Sequence, residues 1–213
     1  MPFQHHLHHA HIGRPKDQQK RVQILEGAAY LFLQDGYSLT SMDTIAKHAG
    51  VSKQTVYSHF KSKAELFKAV IDNKCREYEL DTTAYHDSTT SIETKLLALA
   101  EHFVALMHDE MVVAMYAVVI AESKTNPEVA ELFYTAGPQQ ATDMLQAQLQ
   151  LAYPQLSPRT VADLSYDFFN LLKGDYHMKS ILGLSSNMSK VEQQEYAHAG
   201  CQKFIAILHS ISG

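Results

Sequence analysis

Apolar residues recur along this chain at the three- and four-residue spacing of a buried helix face, and no stretch alternates as a half-buried strand would. The pattern begins near Asp17 and runs to about Asp35, with Ile24, Ala28, Leu31 and Phe32 on one face. Gly36 ends it, as a residue that accepts a left-handed C-cap. A short helix is predicted from about Met42 to Ala49, capped by Thr40 or Ser41, with Asp43 in its first turn. Gly50 breaks it, and Ser52 caps a third helix over Lys53 to His59. The box Ser62-x-x-Glu65 opens a fourth that runs to about Leu80. After a polar connection over 81–91, Thr90-x-x-Glu93 opens a helix to about Met107, and an apolar helix covers Met111 to Ser123. Asn126-Pro127 starts another, interrupted at Gly137-Pro138, where proline removes a backbone donor. Ser157-Pro158 starts a helix to about Leu182, and Ser189-x-x-Glu192 starts the last, to about Ser210. The fold class expected is all-α, with about nine helices and no internal repeat.

Composition narrows the class. Apolar residues make up 46% of the 213, enough for a packed core, and 19% are charged. The longest apolar run, Met111 to Ala121, is shorter than the roughly 18 residues of a membrane span, so no membrane partner is expected. The N-terminus lacks the basic and apolar regions of a secretory signal. Cys75 and Cys201 lie far apart, as in a reduced protein with incidental thiols; a cytoplasmic location follows as the expectation. Charge divides unevenly. Residues 1–75 hold ten Lys and Arg against six Asp and Glu, and residues 76–213 hold eight against seventeen. A basic N-terminal third attracts phosphate, and an acidic remainder points away from it.

The segment from Thr44 to Phe60 carries the most specific signal. Ala46 is small where two helices would cross, and Gly50, four residues on, can take the positive φ of a tight turn. Val51 and Val56 anchor the second helix on Ile45 and Ala49. The positions left outside are Lys53, Gln54, Thr55, Tyr57, Ser58 and His59. They are polar, and none is an acid.

Thr55 to Phe67, together with Phe32, Asp35-Gly36-Tyr37, Thr40-Ser41-Met42 and Ile45-Ala46, resembles the DNA-binding domain of the tetracycline-repressor (TetR) family over about residues 17–68. The resemblance implies that the helix from Lys53 to His59 enters the major groove. Gln54 would then pair with a base edge and Thr55 touch a thymine methyl, while Tyr57, His59 and Lys63, with Thr40 or Ser41, contact phosphate and set register. Gly13-Arg14-Pro15-Lys16 reads equally as an arm laying Arg14 in a minor groove or as a merely basic tail. His5, His6, His8, His9 and His11 are a metal-binding composition without an ordered surround, and neither metal nor cofactor is expected.

The region over Val112 to Gln140 is similar to the C-terminal domain of an AefR-like TetR subgroup, with Ala121-Glu122 ahead of Pro127-Glu128. In the family this region forms a ligand cavity, and the last two helices form the dimer interface. The residues agree with a cavity. Phe103, Met107, Met115, Tyr116, Phe133, Tyr134, Tyr166, Phe168 and Phe169 are candidates to line it; His102, Glu122, Asn170, Lys173 and His177 are candidates to orient a ligand. Each aromatic taken alone reads more readily as core; the cavity reading rests on the group. For the dimer, Tyr196, Ala197, Gly200, Phe204 and Leu208 form one stripe and Val161, Leu164 and Phe168 another, which would meet their copies or pack within one chain.

No Gly-rich phosphate loop or His-Glu-x-x-His occurs. The pairs Glu192/Glu195 and Asp163/Asp167 read as solvated faces, so an enzyme is not expected. The organisation expected is an arm over 1–16, a helix-turn-helix domain over 17–62 and an effector-binding and dimerisation domain over 63–213, joined by the helix 63–80. The function expected is a homodimeric repressor, released from palindromic operator DNA by a small, largely apolar effector.

Overall fold

The computed structural model describes residues 14–78, 80, 89–184 and 188–212. Every regular element among them is a helix: α1 (Arg14–Leu39), α2 (Met42–His48), α3 (Lys53–His59), α4 (Lys63–Glu77), α5 (Ile92–Met107), α6 (Glu110–Glu122), α7 (Pro127–Ala136), α8 (Pro138–Ala152), α9 (Pro158–Ile181) and α10 (Lys190–Ser212). Ten stand where about nine are expected, because Gly137-Pro138 separates two helices outright. The histidine arm and most of the polar connection lie outside the described residues. Arg14 already belongs to α1, so the helix starts three residues earlier than the apolar pattern predicts.

Local sequence sets most of the ends. Ser41, Ser52, Ser62, Ser91 and Ser157 each accept the amide of the residue three positions on. For α5 the cap is Ser91 rather than Thr90. Ser189 and Glu192 exchange the two hydrogen bonds of a capping box. Gly36 takes φ 82° and interrupts α1, and Gly50 takes φ 65° between α2 and α3. Gly174, at φ 50°, breaks α9 where no break is predicted; a side chain there would overlap the Tyr196 hydroxyl.

Two apolar clusters form the core. One gathers Ile24, Ala28, Phe32, Ile45, Ala46, Val56, Phe60, Leu66 and Phe67 from α1–α4, and takes in Met115 and Val119 of α6 and Val129, Leu132 and Ala136 of α7. Phe32, Tyr37 and Phe67 meet edge-on or stacked at its centre, 5.0–5.8 Å apart. The other joins α5, α8, α9 and α10 around Leu99, Phe103, Leu145, Leu149, Phe168 and Phe204. Among the described residues no single helix is long and apolar enough to cross a membrane. The pair α5 and α6 would pass together on composition, but the two are bent 66° at their junction.

The predicted dimer stripe requires a correction. Val161, Leu164, Phe168, Ala197, Gly200, Phe204 and Leu208 are all buried within the single chain. Phe168 and Phe204 meet edge to face at 5.0 Å, and a side chain on Gly200 would come within 2.8 Å of Leu172 of the same chain. Gly200 lets α10 approach its own α9. Tyr196, half-buried, packs on Tyr176 at 5.2 Å.

Phe204→Ala should therefore cost about 3–5 kcal/mol of folding stability, measured by urea titration at fixed protein concentration. A variant with unchanged stability that sediments as a smaller species would return Phe204 to an intermolecular surface.

Candidate DNA-reading surface and effector cavity

The α2–α3 pair is held by short contacts. Val51 donates its amide to the Ala46 carbonyl at 3.0 Å, closing the turn. Ile45 and Val56 are fully buried between the helices and the rest of the cluster. This leaves Ser52, Lys53, Gln54, Tyr57 and Ser58 exposed, with Thr55 half-buried. Lys53 reaches back to Asp43 at 2.8 Å, both side chains being more than half exposed. Ser58 donates to the Thr55 carbonyl, and Thr55 shares a hydroxyl contact with Ser52. The Gln54 amide has no partner among the described residues, which leaves it available to a base edge.

Three of the residues expected at phosphate are used inside the protein. Thr40 is buried and donates to the Gly36 carbonyl at 2.7 Å, so its hydroxyl secures the end of α1. Lys63 donates to the Tyr37 carbonyl at 2.8 Å and lies over the Tyr37 ring at 4.3 Å; burial lowers its pKa. The His59 side chain is 10% exposed, with Nε2 3.2 Å from the Asp17 carboxylate. Ser41 remains exposed at the N-terminus of α2. Lys47 and Lys61, which the motif alone does not single out, are exposed cations flanking the pair. The side chain of Arg14 lies outside the described residues.

Below this unit a cavity of about 590 Å³ opens between α1, α4, α5, α6, α7, α8 and α9. Phe103, Met107, Met115, Tyr116, Phe133, Tyr134, Tyr166, Phe169, Asn170 and Lys173 all line it. Tyr116 and Phe133 meet at 4.9 Å, and Phe103 and Phe169 at 4.8 Å. The sequence pattern missed a further wall from α1 and α4, formed by Leu25, Glu26, Ala29, Tyr30, Val70, Ile71, Asn73 and Lys74. Asn73 and Lys74, following Val70 and Ile71, were the available signal: polar residues continuing an otherwise apolar face.

Four expected pocket residues do not line the cavity. Phe168 turns to Phe204 instead. His102 lies on α5 away from the cavity. His177 stands behind Tyr116, ring to ring at 5.0 Å. Glu122 lies at the far end of α6, where its carboxylate accepts both the amide and the hydroxyl of Ser38, the amide at 2.9 Å. Asn126 reaches the same Ser38 hydroxyl at 3.4 Å. One helix thus lines the cavity with Met111, Val112, Met115 and Tyr116 and grips the junction ahead of α2 with its last residue.

The near end of α6 is fixed as well. Asp109 caps it through the amides of Met111 and Val112 and accepts from Tyr78 at 2.7 Å and Lys74 at 2.9 Å. Burial alone would raise the Asp109 carboxyl, but the hydrogen bonds from Lys74 and Tyr78 outweigh it and hold the pKa below the ordinary value.

The chain matches the model described as bacterial regulatory proteins of the tetR family over residues 24–70, and the AefR-like transcriptional repressor C-terminal domain over residues 94–207. It is 37% identical over 89 residues to the HTH-type transcriptional activator FasR of Mycolicibacterium smegmatis, a match over 42% of this chain and 40% of that protein. It is 46% identical over 58 residues to the HTH-type regulator YhgD of Bacillus subtilis, covering 27% of this chain and 30% of that one. The matched stretch therefore spans less than half of these curated relatives. Among solved structures, a TetR-family regulator from Mesorhizobium loti aligns over 91% of this chain and 98% of its own, at 26% identity and TM-score 0.68. The flavonoid-responsive regulator FrrA aligns over 89% and 97%, at 28% identity and TM-score 0.64. Each of these relatives is named as a regulator.

Two outcomes follow from this geometry. His177 is buried beside Lys173 and His108; burial first, then those two neighbours, lower its pKa to about 4. Unfolded, it titrates near 6.5, so the unfolded chain takes up the proton first as pH falls. Stability should be lost progressively from about pH 6.5 down to about pH 4, by on the order of 1–3 kcal/mol once solvent screening is allowed for. In His177→Leu that part of the slope should vanish from urea titrations run across this range. Glu122→Ala should cost about 1–2 kcal/mol by releasing Ser38, and Glu122→Gln should recover part of it. By its membership of both family models, the chain belongs to the tetR family of bacterial regulatory proteins.

Proposed function

We propose that the chain is a homodimeric, sequence-specific DNA-binding regulator, a repressor released from a palindromic operator when a small molecule fills the cavity. The observation that carries this reading is α6, which borders the cavity along one half and holds the α1–α2 junction through Glu122 and Ser38 at its end. A ligand that displaces Tyr116 or Met115 acts on the same rigid element that sets the pose of α2 and α3. FrrA is named as flavonoid-responsive, which supports ligand control here. The AefR-like domain is described as a repressor's, which supports repression, although FasR is named an activator.

In this reading α3 enters the major groove. Gln54 and Thr55 face bases, Tyr57 and Ser58 lie along the groove, and Lys53, Ser41, Lys47 and Lys61 meet phosphates. Lys63, Thr40 and His59 support the unit from within. Dimer contact belongs to the exposed side of α10, where Ala199 and Ala206 stand two turns apart and Ile207 and Ile211 follow one turn apart on an adjoining face. A two-fold pairing there would set two α3 helices at successive grooves, about 34–36 Å apart.

Gln54→Ala should cost about 1–3 kcal/mol on the operator and little on random DNA. Lys53→Ala should weaken both and flatten the dependence on salt. Anisotropy titrations on operator fragments from the adjacent promoter, at several salt concentrations, measure this; unchanged binding by both variants would overturn the groove assignment. Ile207→Glu should leave the melting cooperative and halve the sedimenting mass. A ligand that acts as effector must bind more weakly to the operator-bound protein, by the factor with which it weakens the operator.

A further inference from the structure

Two of the four charged groups on the cavity wall, Lys74 and Glu77, are paired. Lys74 is held by Asp109 and Glu77, both at 2.9 Å. Glu77 also accepts from Asn73 at 3.1 Å, and Glu26 on α1 is solvent-exposed. Lys173 differs. It lines the cavity from α9, is only partly exposed, and has no carboxylate or carbonyl partner among the described residues. Asn170, one turn earlier on the same face, adds an amide to this wall. Tyr116, facing the cavity from α6, has no hydrogen-bond partner among the described residues either. His177 joins the two: its ring packs on Tyr116 and it lies close enough to Lys173 to feel its charge. The rest of the lining is chiefly Leu, Met, Phe and Tyr.

A cation removed from water without a partner is costly, and a folded chain ordinarily supplies one. Here Lys173 faces the cavity rather than a carboxylate of the chain. We infer that the cavity takes an apolar molecule bearing one anionic group, with the anion seated on Lys173 and Tyr116 and the apolar body lying among Phe103, Met107, Phe133 and Phe169. This rests on the effector reading above and narrows it from an apolar ligand to an amphiphilic anion. Two further facts agree. Burial lowers the Lys173 pKa, which a bound anion would reverse. Burial pushes the Tyr116 phenol up to about 12, so it stays protonated and donates.

The test uses two fluorescent probes of similar size on the full chain: anionic 1-anilinonaphthalene-8-sulfonate and neutral N-phenyl-1-naphthylamine. Wild-type protein should bind the sulfonate more tightly than the neutral amine. Lys173→Met, which keeps the apolar stem, should lose about ten- to a hundredfold in sulfonate affinity and bind the neutral probe at least as well as wild type. Lys173→Arg should keep the preference for the anion. Sulfonate affinity unchanged in Lys173→Met, or a wild type that takes the neutral probe and not the anion, overturns the inference while leaving the cavity reading intact. Uptake of neither probe by wild type overturns both. Equal loss of the two probes in Lys173→Met, with a lowered melting temperature, shows a structural role for Lys173 and also overturns it.

Discussion

The structure depends on α6 belonging to two parts of the molecule at once. Met115 and Val119 lie in the apolar cluster built around α1–α4, while Met111, Val112, Met115 and Tyr116 border the cavity. Interiors are close-packed, so a helix that serves both cannot shift at one end without disturbing the other. The polar anchors at its ends act in the same sense. Asp109 ties its start to Lys74 and Tyr78 of the α4 end, and Glu122 ties its last residue to Ser38. Gly36 is part of this joint: a side chain there would overlap the Glu122 carboxylate, and φ 82° already favours glycine.

The coupling required is small beside the contacts available. A difference of about 1–3 kcal/mol between ligand-bound states changes operator affinity roughly 5- to 150-fold. The Glu122–Ser38 pair alone is of that order if one state makes it and the other does not. What decides the direction is differential contact. A ligand that touches α6 equally in both arrangements shifts nothing, however tightly it binds.

Helix ends and the helix-turn-helix were legible because their causes are local. Ser52 caps α3 within one turn, Gly50 supplies a backbone angle that needs no partner, and Ile45 and Val56 are the apolar anchors of their two short helices. Aromatics of the cavity were also legible as a group, since Tyr116, Phe133 and Phe169 sit on apolar faces with nearby polar residues. The misplacements of Glu122, Lys63, Phe204 and Gly200 share one origin: a side chain's partner lay on another element. Glu122 follows an apolar run and reads as a ligand-orienting acid until Ser38, 84 residues away, is seen against it. Lys63 reads as a phosphate contact until the Tyr37 carbonyl claims its ammonium. Phe204 and Gly200 form a stripe whose spacing is the same for a partner helix as for α9 of the same chain, so periodicity cannot distinguish them. The break at Gly174 was invisible for the same reason, because its space is filled by Tyr196 from α10.

The size of the cavity is itself a constraint on what occupies it. At about 590 Å³, and open at a rim where Glu26 and Tyr30 are exposed, it has room for a small molecule and is reachable from solvent. Solvent is served poorly over much of the wall: the lining is chiefly Leu, Met, Phe and Tyr, and a water in it needs several polar partners. Among the described lining residues, Lys173, Asn170 and Tyr116 offer polar groups on one wall, and Glu26 and Tyr30, which are exposed, stand at the rim. A molecule with an apolar body and one polar end satisfies both regions together, releasing water from the apolar wall and meeting donors at the other. The gain from burying that body is available only to the folded chain, so occupancy of the cavity should stabilise the α6 arrangement that meets Ser38 through Glu122.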